Sequence, residues 1–304
     1  MAAAVAVPEH KLSESPNSRA IEIFDWTVTA ETGPISSATH SDALHAALGI
    51  PLPEMTFGSN FLQLTHRPSG WTYAFRAEDA LKGVKNGPLD AGDGGVKVGY
   101  ADDWLRSRTG PDSQIPMPQT VTTKPYDWTY TTTYAGSLED AGSGNAQWVS
   151  GEATNALHAI PIAELSRPDP ILFYAEIPLF EDELHDNGAS HLLVRIRVMP
   201  TCIFILSRFT LRVDNVLFRA RDTRIYHSFA STPPLVVRET RGWEAPYERL
   251  KRALPRRDDL MPLTDPNFIC KTLSDMPREA SQEAGAGTGW RGLGNVVQIA
   301  TLQS

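Results

Sequence analysis

The chain has 304 residues, 41% of them hydrophobic, and its 28 Lys and Arg against 36 Asp and Glu give a formal net charge of −8. Such a composition excludes collagen, coiled coil and wholesale disorder, and the acidic balance, with a sequence pI of about 5.5, argues against a phosphate-driven nucleic-acid binder. Two cysteines, Cys202 and Cys270, are too few for a disulfide framework, and no Cys/His spacing suggests zinc.

In chain order, residues 1–19 are small, polar and proline-containing, and read as a flexible end. The opening Ala/Val stretch lacks a basic n-region and meets Pro8, a poor signal peptide. No apolar run reaches the ~20 residues of a membrane span. The expectation is a soluble, reducing-compartment protein, cytoplasmic or also nuclear, with neither nucleic acid nor membrane as partner. Ile21, Ile23 and Trp26-Thr27-Val28 suggest a first strand. Ser41-Asp42 can cap a short helix through Leu44 and Leu48 that Gly49 stops. Phe61–Leu64 and Trp71–Phe75 flank Pro68-Ser69-Gly70 and predict a hairpin. Ala101–Arg108 predicts a short helix, Asp127–Tyr130 a half-buried strand, and Ala141–Asn145 a loop. Residues 171–241 are nearly continuous strand. Trp243–Leu254 predicts an amphipathic helix, and the chain beyond Pro277 a mobile tail. One domain over 20–254 is expected, α+β and built on a mostly antiparallel β-sheet, with a largely disordered extension over 255–304.

The strand-rich part carries one geometric expectation. If Asp214-Asn215 is a two-residue hairpin turn, Val213 faces Val216, Leu211 faces Phe218 and Phe209 faces Ala220. The opposite face then gathers Arg208, Arg212, Arg219 and Arg221. Val194-Arg195-Ile196-Arg197-Val198 repeats the alternation on the strand before. Such a face is either a solvated side of the sheet or a surface that reads carboxylates, since arginine forks suit them.

Two constellations could carry chemistry. Phe180-Glu181-Asp182-Glu183-Leu184-His185-Asp186 surrounds a histidine with four carboxylates, a conceivable metal-dependent hydrolase site. Its spacing matches no metal or hydrolase signature, so electrostatic partnership with nearby arginines is the plainer reading. His227 could act as a base oriented by Asp222, yet no nucleophile motif, Walker motif or dinucleotide fingerprint accompanies it. No cofactor is expected. The residues alone lead to a binding or regulatory protein of unnamed partner.

Five segments in order are similar to the TIP41-like family of type 2A phosphatase regulators. They are Leu52-Pro53-Glu54-Met55-x-Phe57-Gly58, Lys124–Thr132, Leu179–Gly188, Arg195-Ile196-Arg197-Val198-Met199-Pro200 and Asp222-Thr223-Arg224-x-Tyr226-His227. The resemblance covers roughly 20–250. It implies a central antiparallel sheet with an N-terminal α/β region on one surface and a cleft on the other. It also implies a non-enzymatic protein that binds the catalytic subunit of PP2A-type phosphatases, through that subunit's acidic-aromatic C-terminal tail, and inhibits or sequesters it in TOR signalling. A Tap42/α4-like protein is a second implied partner, and a non-inhibitory scaffold an alternative role. Asp79, Ile160 and Asp222 match family positions associated with phosphatase binding. Ala220 stands where animal members carry Met, and Thr240 where they carry Tyr. Arg219 and Arg221 join this candidate set through the expected arginine face.

Overall fold

The computed structural model describes residues 6–84, 130–139, 147–152, 155–163, 165, 169–184, 188–276 and 291–302. Two sheets enclose the main core. The small sheet has the order β1 (His10–Glu14), β2 (Ser18–Ile23), β3 (Trp26–Glu31), β5 (Phe61–His66), β6 (Trp71–Arg76) and β7 (Ser137–Glu139). The large sheet runs β4 (Met55–Thr56), β9 (Phe173–Glu183), β10 (Gly188–Val198), β11 (Cys202–Val213), β12 (Leu217–Ser228), β13 (Leu235–Pro246), β14 (Arg291–Thr301) and β8 (Val149–Ser150). Every strand pairing among the described residues is antiparallel. The expected α+β class and the strand run over 171–241 are thus observed.

The pleat explains the layering. Alternate residues of β2, β3, β5 and β6, among them Ile21, Ile23, Trp26, Leu64 and Tyr73, are buried in one cluster with Ile177, Val194, Ile196, Ile205, Phe209 and Ile225 of the large sheet. Each such side chain contributes about 1.5–3 kcal/mol by leaving water. The large sheet therefore has an inner face against the small sheet and an outer face turned away from it.

Helices are short. α1 (Ala38–Leu48) begins earlier than expected because Ser37, ahead of Ser41, is the cap: its Oγ accepts from His40 N–H at 3.3 Å. It ends at Gly49 as expected, with a left-handed φ of 68° that glycine adopts without strain. Ser37→Ala should lower the unfolding free energy by about 1 kcal/mol in chemical denaturation; no change would mean the cap is idle. α2 (Ala77–Lys82) follows β6 directly.

Several expectations need correction. The first strand is a hairpin, β2–β3, because Phe24 takes a positive φ of 47° and turns the chain. The N-terminal segment is not wholly loose, since β1 pairs with β2. Trp243–Pro246 completes β13, so the helix after it is only α3 (Tyr247–Arg252). The C-terminal extension also forms structure. Asp265 caps α4 (Pro266–Asp275), its side chain accepting from Asn267 N–H at 2.8 Å, and β14 pairs along β13. The expectations at 101–108, 127–129, 141–145 and 277–290 lie outside the described residues.

Candidate functional site

Register decides which side chains share a face. β11 and β12 join through the turn Asp214-Asn215-Val216, and Val216 N–H donates to Val213 O at 3.0 Å. Val213 faces Leu217, Leu211 faces Arg219, Phe209 faces Arg221 and Arg208 faces Asp222. The expected two-residue turn is one residue too short. Its favoured form needs positive φ at both central residues, and only Asn215, at 60°, has it. Because side chains alternate with period two, that single residue moves the whole set on β12 to the other face. Arg219 and Arg221 lie on the inner face while Arg208 and Arg212 lie on the outer one. The four arginines do not converge.

What occupies the outer face is a charge network. Both oxygens of Asp222 accept from Arg208, Nε to Oδ1 and Nη2 to Oδ2, each at 2.8 Å. The Asp222 side chain is 1% exposed and that of Arg208 13%. Burial alone would lower the Arg208 pKa; the hydrogen bonds and charge of Asp222 outweigh it and raise the pKa, so this guanidinium stays charged. Arg224 lies 3.9 Å from Asp222 Oδ2 and 3.9 Å from Glu239 Oε2, and Arg241 also binds Glu239. On the neighbouring strands Arg195 pairs with Glu176 at 2.9 Å.

The two ends of this face differ. Beyond Arg224, Met199, Cys202 and Phe204 form a small buried cluster whose half-exposed rim is Ile160, Leu165, Leu206 and Tyr226. The guanidinium of Arg197 sits 5.5 Å from the Phe204 ring centroid. At the opposite end Phe218, Ala220 and Ala245 are buried beneath α3 and α4, against Tyr247, Leu250, Ile269, Cys270 and Leu273. Burial, then the nearby Asp222 charge, pushes the Cys270 thiol up, so this cysteine is a neutral packing group rather than a nucleophile. Between α4 and strands β9–β11 lies a cavity of about 180 Å³ lined by Glu183, Ala189, His191, Thr210, Arg212, Leu263, Thr264, Pro266 and Ile269. Burial lowers the pKa of His191 despite Glu181 and Glu183 nearby.

Of the expected site residues, Ala220 and Asp222 adjoin on the outer face and Ile160 reaches the same face at its apolar end. Arg219 is 2% exposed on the inner face, held by Glu244 at 2.6 Å and by Thr131. Arg221 and Thr240 share that inner side. Asp79 belongs to α2 in the small-sheet layer, where it accepts from Ser137 and pairs with Lys82, each at 3.2 Å. His227 and Asp222 cannot work together: five residues apart on one strand, they point to opposite faces. His227 packs on Trp26 and Phe229 and contacts Leu235 O.

The acidic segment is divided in the same way. Asp182 is buried and accepts from Glu54 N–H at 3.1 Å, whereas Glu181 points outward, 4.0 Å from His191. His185 and Asp186 lie outside the described residues, and among those described no group of three or more His, Cys, Asp or Glu could hold a metal ion. Among the described residues, the histidine beside Glu181 is the cross-strand His191, which the linear spacing did not reveal. Arg224 and Glu239 were missed as members of this face, although the period-two spacing of 220, 222, 224 and 226 carries the signal for Arg224 and Tyr226. Chemically, the outer face offers arginine forks beside an apolar shelf, a surface suited to a peptide bearing both acidic and apolar groups.

Comparison with known proteins finds relatives over most of the chain. Residues 55–251 match the TIP41-like family. A TIP41-like protein of Dictyostelium discoideum is 36% identical over 267 residues, 87% of this chain and 90% of that protein. A human TIP41-like protein is 38% identical over 82% of this chain and 83% of its own length. The type 2A phosphatase activator TIP41 of Saccharomyces cerevisiae is 34% identical, covering 88% of this chain and 74% of its own. Both the extent of the family match and these identities lead to one statement: the chain belongs to the TIP41-like family.

Proposed function

We propose that this protein is a non-enzymatic regulator that binds the catalytic subunit of type 2A serine/threonine phosphatases through the outer face of its large sheet. One observation carries the reading: Asp222, from the motif shared with the family, is the buried centre of an arginine network beside the apolar shelf that Ile160 rims. The yeast relative's name, a type 2A phosphatase activator, supports the partner class. In this reading the acidic-aromatic C-terminal tail of the phosphatase lies along the face. Its carboxylates meet Arg195, Arg197 and Arg224, and its apolar side chains meet Phe204, Leu206 and Tyr226. Asp79, on the other layer, would belong to a second contact. The proposed setting is cytoplasmic TOR signalling, with a Tap42/α4-like protein as an additional partner and the phosphatase held inactive in the complex.

The test is gel filtration of the purified chain with a purified type 2A catalytic subunit, followed by phosphopeptide hydrolysis. A stoichiometric complex with reduced turnover is expected. Raised turnover would reverse the sign of regulation, undiminished turnover would make the protein a non-inhibitory scaffold, and absence of a complex would remove the proposal. Affinity should also fall as salt rises from low to physiological strength, because exposed charges are screened beyond about 8 Å; salt-independent affinity would remove the arginine face from the account.

A further inference from the structure

Two of the residues that the family resemblance singles out, Ala220 and Asp222, lie where a segment from outside the family match helps to close over the face. Ala220 and Asp222 are 0% and 1% exposed, and what lies against this end of the face is α3, whose Tyr247 and Leu250 fall within the matched residues 55–251, together with α4, which lies wholly beyond them. Its polar anchor is Asn267. The amide oxygen of this one side chain accepts from Arg208 Nη1 at 2.9 Å and from Arg195 Nη1 at 3.2 Å. The same Arg208 holds Asp222. A neutral amide oxygen therefore sits where two guanidinium groups converge, a position for which a carboxylate is the stronger partner.

We propose that α4 is an intramolecular cover of the docking face, with Asn267 standing in for a carboxylate of an acidic partner segment. This rests on the reading of the outer face as the phosphatase-binding surface. Three features make the cover releasable. Its apolar anchorage is a single short helix face, with Ile269, Cys270 and Leu273 buried and Phe268 half-buried beside them. Its start lies over the cavity of about 180 Å³ instead of closely packed side chains. Finally, an incoming carboxylate offers Arg195 and Arg208 charge-assisted hydrogen bonds in exchange for the weaker ones to the amide. Binding then selects the uncovered state, and affinity is reduced by the fraction of molecules that remain covered.

Two substitutions at one exposed position separate the outcomes. Asn267→Ala removes the anchor and should bind the phosphatase catalytic subunit about 5-fold more tightly than wild type. Asn267→Asp gives the cover the carboxylate it lacks and should bind about 5-fold more weakly. Amide exchange of the unmodified protein supplies a readout free of mutational effects: residues 266–275 should exchange at least about 10-fold faster in the complex. If wild type binds while both variants match it and the exchange of 266–275 is unchanged or slower, α4 is a fixed part of the platform and the cover is overturned. If wild type and both variants all fail to bind, the reading of the outer face itself falls.

Discussion

Asp222→Ala is expected to lower the unfolding free energy by about 3–5 kcal/mol, the cost of stranding one member of a buried ion pair. Asp222 is shut from solvent and bonded through both oxygens to Arg208, so its removal leaves the guanidinium without its carboxylate in a place water does not readily reach. Arg224, 3.9 Å away, loses part of its own compensation. Arg208→Ala should cost a similar amount, and the double variant clearly less than the sum, because the second removal relieves the charge that the first one stranded. Urea denaturation of the three variants checks this. A loss below about 1 kcal/mol for Asp222→Ala would put the pair among ordinary exposed ion pairs. A consequence for binding studies follows: Asp222 and Arg219 are both buried, so affinity losses on replacing them need folding controls before they are read as lost contacts.

Lowering the pH should weaken the protein through His227. Burial lowers its pKa to about 4, the approach of His66 acts in the same direction, and the contact to Leu235 O only partly opposes them. The unfolded chain takes up the proton near pH 6.5, while the folded protein does so only near pH 4. Stability from this group is therefore complete above pH 6.5, falls as pH drops through that window, and changes no further below about 4. The whole loss is about 3 kcal/mol. His66, whose pKa burial also lowers against the pull of Asp25, adds to the same trend. The measurement is the difference in unfolding free energy between wild type and His227→Phe at pH 7 and pH 4.5. Phenylalanine fits between Trp26 and Phe229 without a titrating proton, so wild type should lose ground to the variant as pH falls. A difference independent of pH would contradict the buried neutral imidazole.

The large sheet was legible because its strands are half-buried: Val194, Ile196 and Val198 alternate with arginines, and the pleat turns that alternation into two faces. The Gly49 stop and the β5–β6 hairpin were legible from local turn chemistry. The length of the β11–β12 turn was not, since Asp-Asn suits both a two-residue loop and a longer one, and one residue reversed the arginine face. The C-terminal extension was misread through its composition, although Asp265-Pro266 is a helix-start signature and Val296–Ala300 an apolar strand run. That α4 would settle over Ala220 has no local signal, because its apolar stripe names no partner until the fold supplies one.

The most direct measurement of the central claim is the affinity of the phosphatase catalytic subunit for Arg197→Glu and Ile160→Asp, each beside wild type and Val296→Asp. Arg197 and Ile160 rim the apolar shelf of the outer face from a strand and a loop, and Val296 is an exposed apolar residue on β14 across from Thr240, away from that shelf. Unfolding midpoints of all three variants serve as the folding control. A docking surface there predicts that Arg197→Glu and Ile160→Asp each weaken binding about 10-fold or more, with Val296→Asp unchanged. Equal affinity of all four proteins, correctly folded, would contradict it.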